Sequence, residues 1–201
     1  MTEYANRWDA RYAAEAFYYG EHPNVFFAEQ LRQFKKPGKI LLPAEGTGRN
    51  AIYAAELGWQ VDAFDASRVA RQIALEFAQR RGVSIDYTTA DLKDFDPEPE
   101  QYDVAAAIYV HLPEALRKKF HQQLAKAIKP GGMVIIEAFD KEQLKRDSGG
   151  PPDVQLLYTT EILRSDFAGL LELKMLCRQQ VHLTEGRHLG NGEVVRYVGV
   201  K

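Results

Sequence analysis

From Lys39 onward the chain alternates short apolar runs with amphipathic helical stretches, and this alternation limits the fold more than any other feature. "KILL" (39–42), "QVDAF" (60–64), "VSIDYT" (83–88), "YDVAAAIYV" (102–110) and "MVIIEAF" (133–139) read as strands. Between them, residues 49–57 read as a helix stopped by Gly58. Ser67 caps a second helix carrying Val69, Ile73 and Phe77, which ends at Gly82, and Pro113 opens a third bearing Leu116, Phe120, Leu124 and Ile128. Strand–helix–strand units close as right-handed crossovers, which makes the sheet parallel with helices on both faces. The last two runs, "LLELKMLCRQQVHL" (170–183) and "VVRYVGVK" (194–201), have no helix between them. "TEGRHLGNG" (184–192) reads as their turn, so they pair as a hairpin and bring one reversed strand into the sheet. The expected fold class is therefore α/β: a doubly wound, mostly parallel seven-stranded sheet with an antiparallel C-terminal hairpin strand. "KPGG" (129–132) reads as a turn, and residues 140–160 as a long connection that is either a lid or disordered.

Residues 1–36 precede this pattern as a helical segment, with helices at Arg7–Phe17 and Val25–Phe34 broken by "EHPN"; residues 37–201 form the domain proper. At 201 residues one domain is expected. A formal net charge of -2 gives no reason to expect a nucleic-acid or anionic-membrane partner. The single cysteine, Cys177, excludes an internal disulfide and suits a reducing compartment. No run approaches the roughly 18 apolar residues of a membrane span, and the first residues lack a signal-peptide core, so a cytoplasmic location is expected. The five histidines lack ligand spacing, so no metal site is expected.

In open α/β sheets a ligand binds beyond the carboxyl ends of the strands. Three such ends carry informative residues. Ala44-Glu45-Gly46-Thr47-Gly48 forms a glycine turn that lets backbone approach a ligand closely. Asp65 ends the second strand, followed by Ala66 and Ser67, and an acid there can accept both hydroxyls of a ribose. Asp91, followed by Leu92, ends the third strand and can accept a proton from an exocyclic amine such as that of adenine. A carboxylate inside the glycine turn repels a phosphate. Together the acids fit an adenosine with a cationic tail, which S-adenosylmethionine supplies without any phosphate; the amides at the start of the following helix can take its carboxylate.

These residues bring the chain to a family. It resembles the class I S-adenosylmethionine-dependent methyltransferases, and within them the small bacterial group that includes the tellurite-resistance methyltransferases. The resemblance covers residues 39–201 and rests on "PAEGTGRNA", "VDAFDAS", "ADLKDF", "YDVAAAIYVHLP" and "IKPGG" in order, on the reversed last strand, and on Gly48-Arg49-Asn50 after the turn. It departs from the family where an acid and then a glycine usually begin the first loop. Those places hold Leu42 and Ala44, and the acid appears at Glu45, as a ligand neighbour or as the residue that orders the loop. Cofactor contacts are expected from Ala44, Glu45, Gly46, Gly48, Asn50, Asp65, Ala66, Ser67, Asp91, Leu92 and Tyr109. The resemblance also implies that the N-terminal segment covers the cofactor. There Trp8, Arg11, Tyr12, Tyr18 and Tyr19 form an aromatic and cationic set whose ring faces attract a sulfonium.

Tyr109 and His111 follow the fourth strand, where methyl transfer would occur, Tyr109 as a pocket wall and His111 as a candidate general base. Tyr158 is a further candidate for the acceptor pocket, while Glu185 and His188 fall in the final turn. The expected activity is methyl transfer to a small acceptor, such as a thiol, selenium or tellurium species; the oligomeric state is left open. Two rivals stand beside it. "GTGRNA" also fits a nicotinamide-dependent oxidoreductase fingerprint, and a non-catalytic adenosyl-ligand binding protein would use the same residues.

Overall fold

The computed structural model describes residues 3–201. Two helices, α1 (Glu3–Ala14) and α2 (Val25–Leu31), precede the sheet. Then follow β1 (Lys39–Pro43), α3 (Arg49–Glu56), β2 (Gln60–Asp65), α4 (Arg68–Arg80), β3 (Asp86–Thr89), β4 (Tyr102–Ile108), α5 (Glu114–Ala127), β5 (Ile128–Phe139), α6 (Thr160–Asp166), β6 (Glu172–Glu185) and β7 (His188–Val200). The strand order is β3-β2-β1-β4-β5-β7-β6. β1 to β5 pair in parallel, and β7 runs antiparallel to both β5 and β6. The expected fold class is thus the one observed. Apolar residues fill both faces of the sheet. Phe26, Phe27, Ile52 and Phe77 pack on one, and Phe120, Leu124, Tyr158 and Phe167 on the other.

Several expectations need correcting. The hairpin turn is not residues 184–192 but only Gly186-Arg187, because Glu185 already pairs with His188 and β7 runs straight through Leu189 to Gly192. The glycines misled because they lie inside a strand. At Gly192 a Cβ would press on the Leu183 side chain, so glycine here answers close packing rather than a turn. "KPGG" is likewise part of β5, with a bulge opposite Tyr102–Val104. Residues 140–160 are ordered. Two 3₁₀ turns, Lys141–Lys145 and Val154–Leu156, flank a loop fastened by Gln143, whose amide donates to the Ser148 hydroxyl and the Gly149 carbonyl at 2.9 Å each. The first helix stops at Ala14 rather than Phe17. The chain then turns so that the Tyr18 carbonyl accepts the Arg187 N–H at 2.9 Å, which ties the N-terminal segment to the hairpin tip.

Candidate functional site

The glycine turn leaves β1 through a sequence of left-handed residues: Ala44 at φ 51°, Gly46 at 65° and Gly48 at 87°. A Cβ on Gly46 would stand 2.7 Å from the Tyr12 hydroxyl, and one on Gly48 2.8 Å from Ala74. Glycine is therefore required by space as well as by φ. The turn is held from beneath by Tyr87, whose hydroxyl donates to the Gly46 carbonyl at 2.5 Å.

Glu45 folds back onto the start of α3. Its carboxylate accepts the backbone N–H of Asn50 at 2.8 Å and of Ala51 at 2.9 Å, and the Asn50 side-chain amide at 3.3 Å. Of the two parts open to it from sequence, Glu45 thus has the loop-ordering one, supplying the cap that Gly48 lacks. The helix-start amides expected to take a ligand's carboxylate are taken by Glu45 instead. Desolvation pushes its carboxyl up to about 7, against the lowering pull of the Ala51 and Asn50 donors and Arg49.

Asn50 extends this cap into the fold. Its side-chain oxygen accepts the Asn24 N–H at 2.9 Å. The Asn24 amide then donates to Glu137 at 2.6 Å, and Arg196 closes the chain by donating to Glu137 at 2.6 Å. This buried polar relay ties the glycine turn to α2, β5 and β7.

Asp65, at the end of β2, is 8% exposed. Its carboxylate accepts Gly46 N–H at 3.0 Å and Ser67 N–H at 2.8 Å, and its carbonyl accepts Ala90 N–H at 3.0 Å. It therefore fixes the glycine turn, the Ala66-Ser67 corner and the end of β3 against one another. Each carboxylate oxygen keeps a second lone pair for a ribose hydroxyl. Burial raises its pKa, opposed by the Ser67 and Gly46 N–H groups. Ser67 caps α4 by accepting Ala70 N–H at 3.0 Å. Past β3, Asp91 accepts Lys93 N–H at 3.1 Å and so opens a short 3₁₀ turn, Leu92–Asp94. Leu92 turns into the core beside Phe64.

α1 and the turn after it pack on the glycine turn and the start of α4. Asp9 accepts from the Ser67 hydroxyl at 2.5 Å and from Val69 N–H at 3.2 Å, docking α1 on the start of α4. Tyr12 is buried against Gly46, with Trp8 stacked on it at 5.6 Å. The Arg11 guanidinium lies 4.7 Å from the Trp8 ring and 4.9 Å from that of Tyr18, and donates to the Tyr19 hydroxyl at 2.9 Å.

Past β4 the backbone turns left-handed at Tyr109, φ 56°, a conformation that non-glycine residues hold only where the surroundings enforce it. Its N–H donates to the Glu137 carbonyl at 2.7 Å, and its ring stacks on Phe139 at 4.7 Å. His111 stands on the other side of Phe139. Its Nδ1 lies 2.8 Å from the Leu156 carbonyl, and its Nε2 accepts Phe139 N–H at 3.3 Å, which requires the proton on Nδ1. Desolvation lowers its pKa to about 4, opposed by the Leu156 carbonyl. Backbone thus engages both nitrogens of His111, the candidate general base, and the ring clamps β4, β5 and the 140–158 loop together. Tyr158 is wholly buried beneath His111 and belongs to the core rather than to a pocket wall.

His188 is the residue that sequence reasoning undervalued. It opens β7 and is 6% exposed. Its ring lies 4.7 Å from Tyr19, 5.0 Å from Tyr109 and 5.1 Å from Phe139. Phe139 and Tyr87 were missed because both look like ordinary strand apolar positions. Among the described residues no cluster of His, Cys, Asp or Glu is arranged to hold a metal ion, and no helix is long and apolar enough to cross a membrane.

Comparison with known proteins accords with this arrangement. Residues 40–132 match a family model described as a methyltransferase domain. The 2-heptyl-1-hydroxyquinolin-4(1H)-one methyltransferase of Mycobacteroides abscessus is 28% identical over 135 residues, which span 66% of this chain and 60% of that protein. A solved structure described as "Conversion of a Disulfide Bond into a Thioacetal Group during Echinomycin Biosynthesis" has a TM-score of 0.80 at 18% identity, over 99% of this chain and 92% of that one. TehB from Haemophilus influenzae has a TM-score of 0.72 at 14% identity, over 96% and 67%. At these identities the two solved structures speak for the fold.

Proposed function

We infer that the chain is a class I S-adenosylmethionine-dependent methyltransferase and that it methylates a small acceptor; the match of residues 40–132 to a methyltransferase-domain model and the 28% identity to a methyltransferase support the reading. The observation that carries the choice of cofactor is the position of Glu45. A dinucleotide's pyrophosphate sits on the amides at a helix start. Here the amides of Asn50 and Ala51 are already bonded to a carboxylate. That argues against the nicotinamide-dependent alternative and favours a ligand with no phosphate.

The residues present fit such a ligand. On this reading Asp65 takes the ribose hydroxyls, Asp91 and the Leu92 backbone the adenine side, and the Ala44–Gly48 turn gives close backbone approach. The cover of Trp8, Arg11, Tyr12 and Tyr19 excludes water and places ring faces over a cation. When bound, the cofactor supplies an electrophilic methyl group on a sulfonium. The protein's own contribution is alignment within a dry compartment, an effect that reaches roughly 7 to 11 kcal/mol in well-oriented systems. With both His111 nitrogens bonded to backbone, the reading favours acceptors that need no base, such as a thiol, selenium or tellurium species that reacts as its anion. The Mycobacteroides abscessus relative is named for a hydroxylated planar ring. The rings of Tyr19, Tyr109, Phe139 and His188 favour that second acceptor class as well.

Calorimetry with S-adenosylhomocysteine and with NAD tests the cofactor assignment: the first should bind and the second should not. A methyl-transfer screen over thiols, selenide, tellurite and hydroxylated heteroaromatics then separates an enzyme from an adenosyl-ligand binding protein.

A further inference from the structure

His188 has a feature the cofactor reading does not use. Its Nδ1 is buried and makes no hydrogen bond among the described residues; the residue is 6% exposed, with its ring packed among Tyr19, Tyr109 and Phe139. A polar atom left unpaired in such a place loses its water without replacement, so its retention calls for a ligand. The position fits one. His188 reaches the carboxyl ends of β4 and β5 from β7, and Tyr19, in the turn after α1, lies against it.

We propose that His188 is the acceptor-binding residue, and that it receives, through Nδ1–H, a weakly hydrated anion with a planar conjugated skeleton, such as an arenethiolate or an acidic hydroxylated heteroaromatic. The inference rests on the methyltransferase reading and narrows its acceptor. Three observations carry it. First, the charged and titratable groups acting on His188 are Arg49 from α3, His111 from beyond β4 and Arg11 from α1, all of which oppose a positive imidazole. Desolvation and these groups together lower its pKa to about 3, so the ring stays neutral at neutral pH and can donate without becoming a cation. Second, the arginines in this set make the surroundings positive, which favours an anion over a neutral acceptor. Third, the rings of Tyr19, Tyr109 and Phe139 surround His188 with aromatic surface. Against these ring faces a compact, strongly hydrated anion gives up more hydration than a delocalised one, which also gains ring contact.

The chemistry balances without a base. The acceptor arrives ionised, and its lone pair forms the bond to the methyl carbon as the carbon–sulfur bond breaks. That bond's electron pair remains on sulfur, so the sulfonium charge and the acceptor charge cancel. No proton moves, in keeping with a His188 too weakly basic to take one.

The test uses 4-nitrophenol, coloured only as its anion, in a buffer acid enough to keep the free probe mostly colourless. The full-length protein should turn on the anion absorbance, with and without S-adenosylhomocysteine present. It should bind 4-nitroanisole, the uncharged ether, far more weakly. His188→Leu should weaken anion binding roughly tenfold or more, and His188→Gln, which restores a side-chain N–H, should recover part of it. Thermal melts check that both variants fold. Equal anion binding by wild type and a folded His188→Leu, equal affinity for the ether, or no colour change on the wild type would each overturn the proposal. Calorimetry with S-adenosylhomocysteine on the same samples tests the methyltransferase reading separately: its failure there would leave the probe titration to decide on His188 alone.

Discussion

Substituting Glu45 by glutamine should change how stability depends on pH. Glu45 is held in the folded protein at about 7, against an ordinary value of 4.5. A carboxyl raised by folding favours the protonated folded state. Its stabilising contribution is complete below the unfolded pKa and is lost as pH rises through the folded one. The loss between pH 4.5 and 8 amounts to at most about 3 kcal/mol, from the size of the shift. The substituted glutamine side chain mimics the protonated carboxyl and cannot titrate. His111 and His188 titrate in both proteins and cancel in the comparison. Thermal melts of wild type and Glu45→Gln between pH 5 and 8 should therefore diverge, with the variant gaining on the wild type as pH rises. For a chain of this size that corresponds to a relative shift of up to roughly 6 to 12 °C. Parallel melting curves would refute the reasoning. They would mean that the Asn50 and Ala51 donors and the dipole of α3 outweigh desolvation and keep the carboxylate ionised throughout.

Asp65→Asn should weaken S-adenosylhomocysteine by roughly 1.5 to 3 kcal/mol, the scale of hydrogen bonds to a charged group, and calorimetry showing unchanged affinity in a folded variant would sink its ribose role. Removing residues 1–20 should leave a folded sheet domain, seen by circular dichroism, that binds the cofactor poorly and does not turn over. Full activity in that truncated chain would remove the cover from the account. His111→Ala should cost less than about tenfold in turnover, because its nitrogens serve backbone rather than substrate. The same variant should have a shallower acid limb of stability: a histidine lowered from 6.5 to about 4 by folding contributes stability above its unfolded pKa and loses it as pH falls. A hundredfold loss of turnover, together with a vanished pH limb in the rate, would restore His111 as a base.

The sequence by itself determined the sheet and the acids at its strand ends. Strand-length apolar runs separated by capped helices leave few topologies once crossovers must be right-handed. Asp65, Asp91 and the glycine turn lie at strand ends, whose place in a parallel sheet is fixed by chain direction alone. Tertiary structure decided everything that depends on which distant segments meet. Glu45 had two readings until α3 brought the amides of Asn50 and Ala51 onto it. His111 was a plausible base until Leu156, 45 residues away, and Phe139 took its two nitrogens. His188 looked like a turn residue, because three glycines in "TEGRHLGNG" mark a loop by local rules. Two of them, Gly190 and Gly192, instead lie within β7, and only the pairing of Glu185 with His188 carries that ring into contact with Tyr19, Tyr109 and Phe139. Local propensity is written in neighbouring residues, whereas a buried side chain's partners are set by packing across the sheet, which no window of sequence contains.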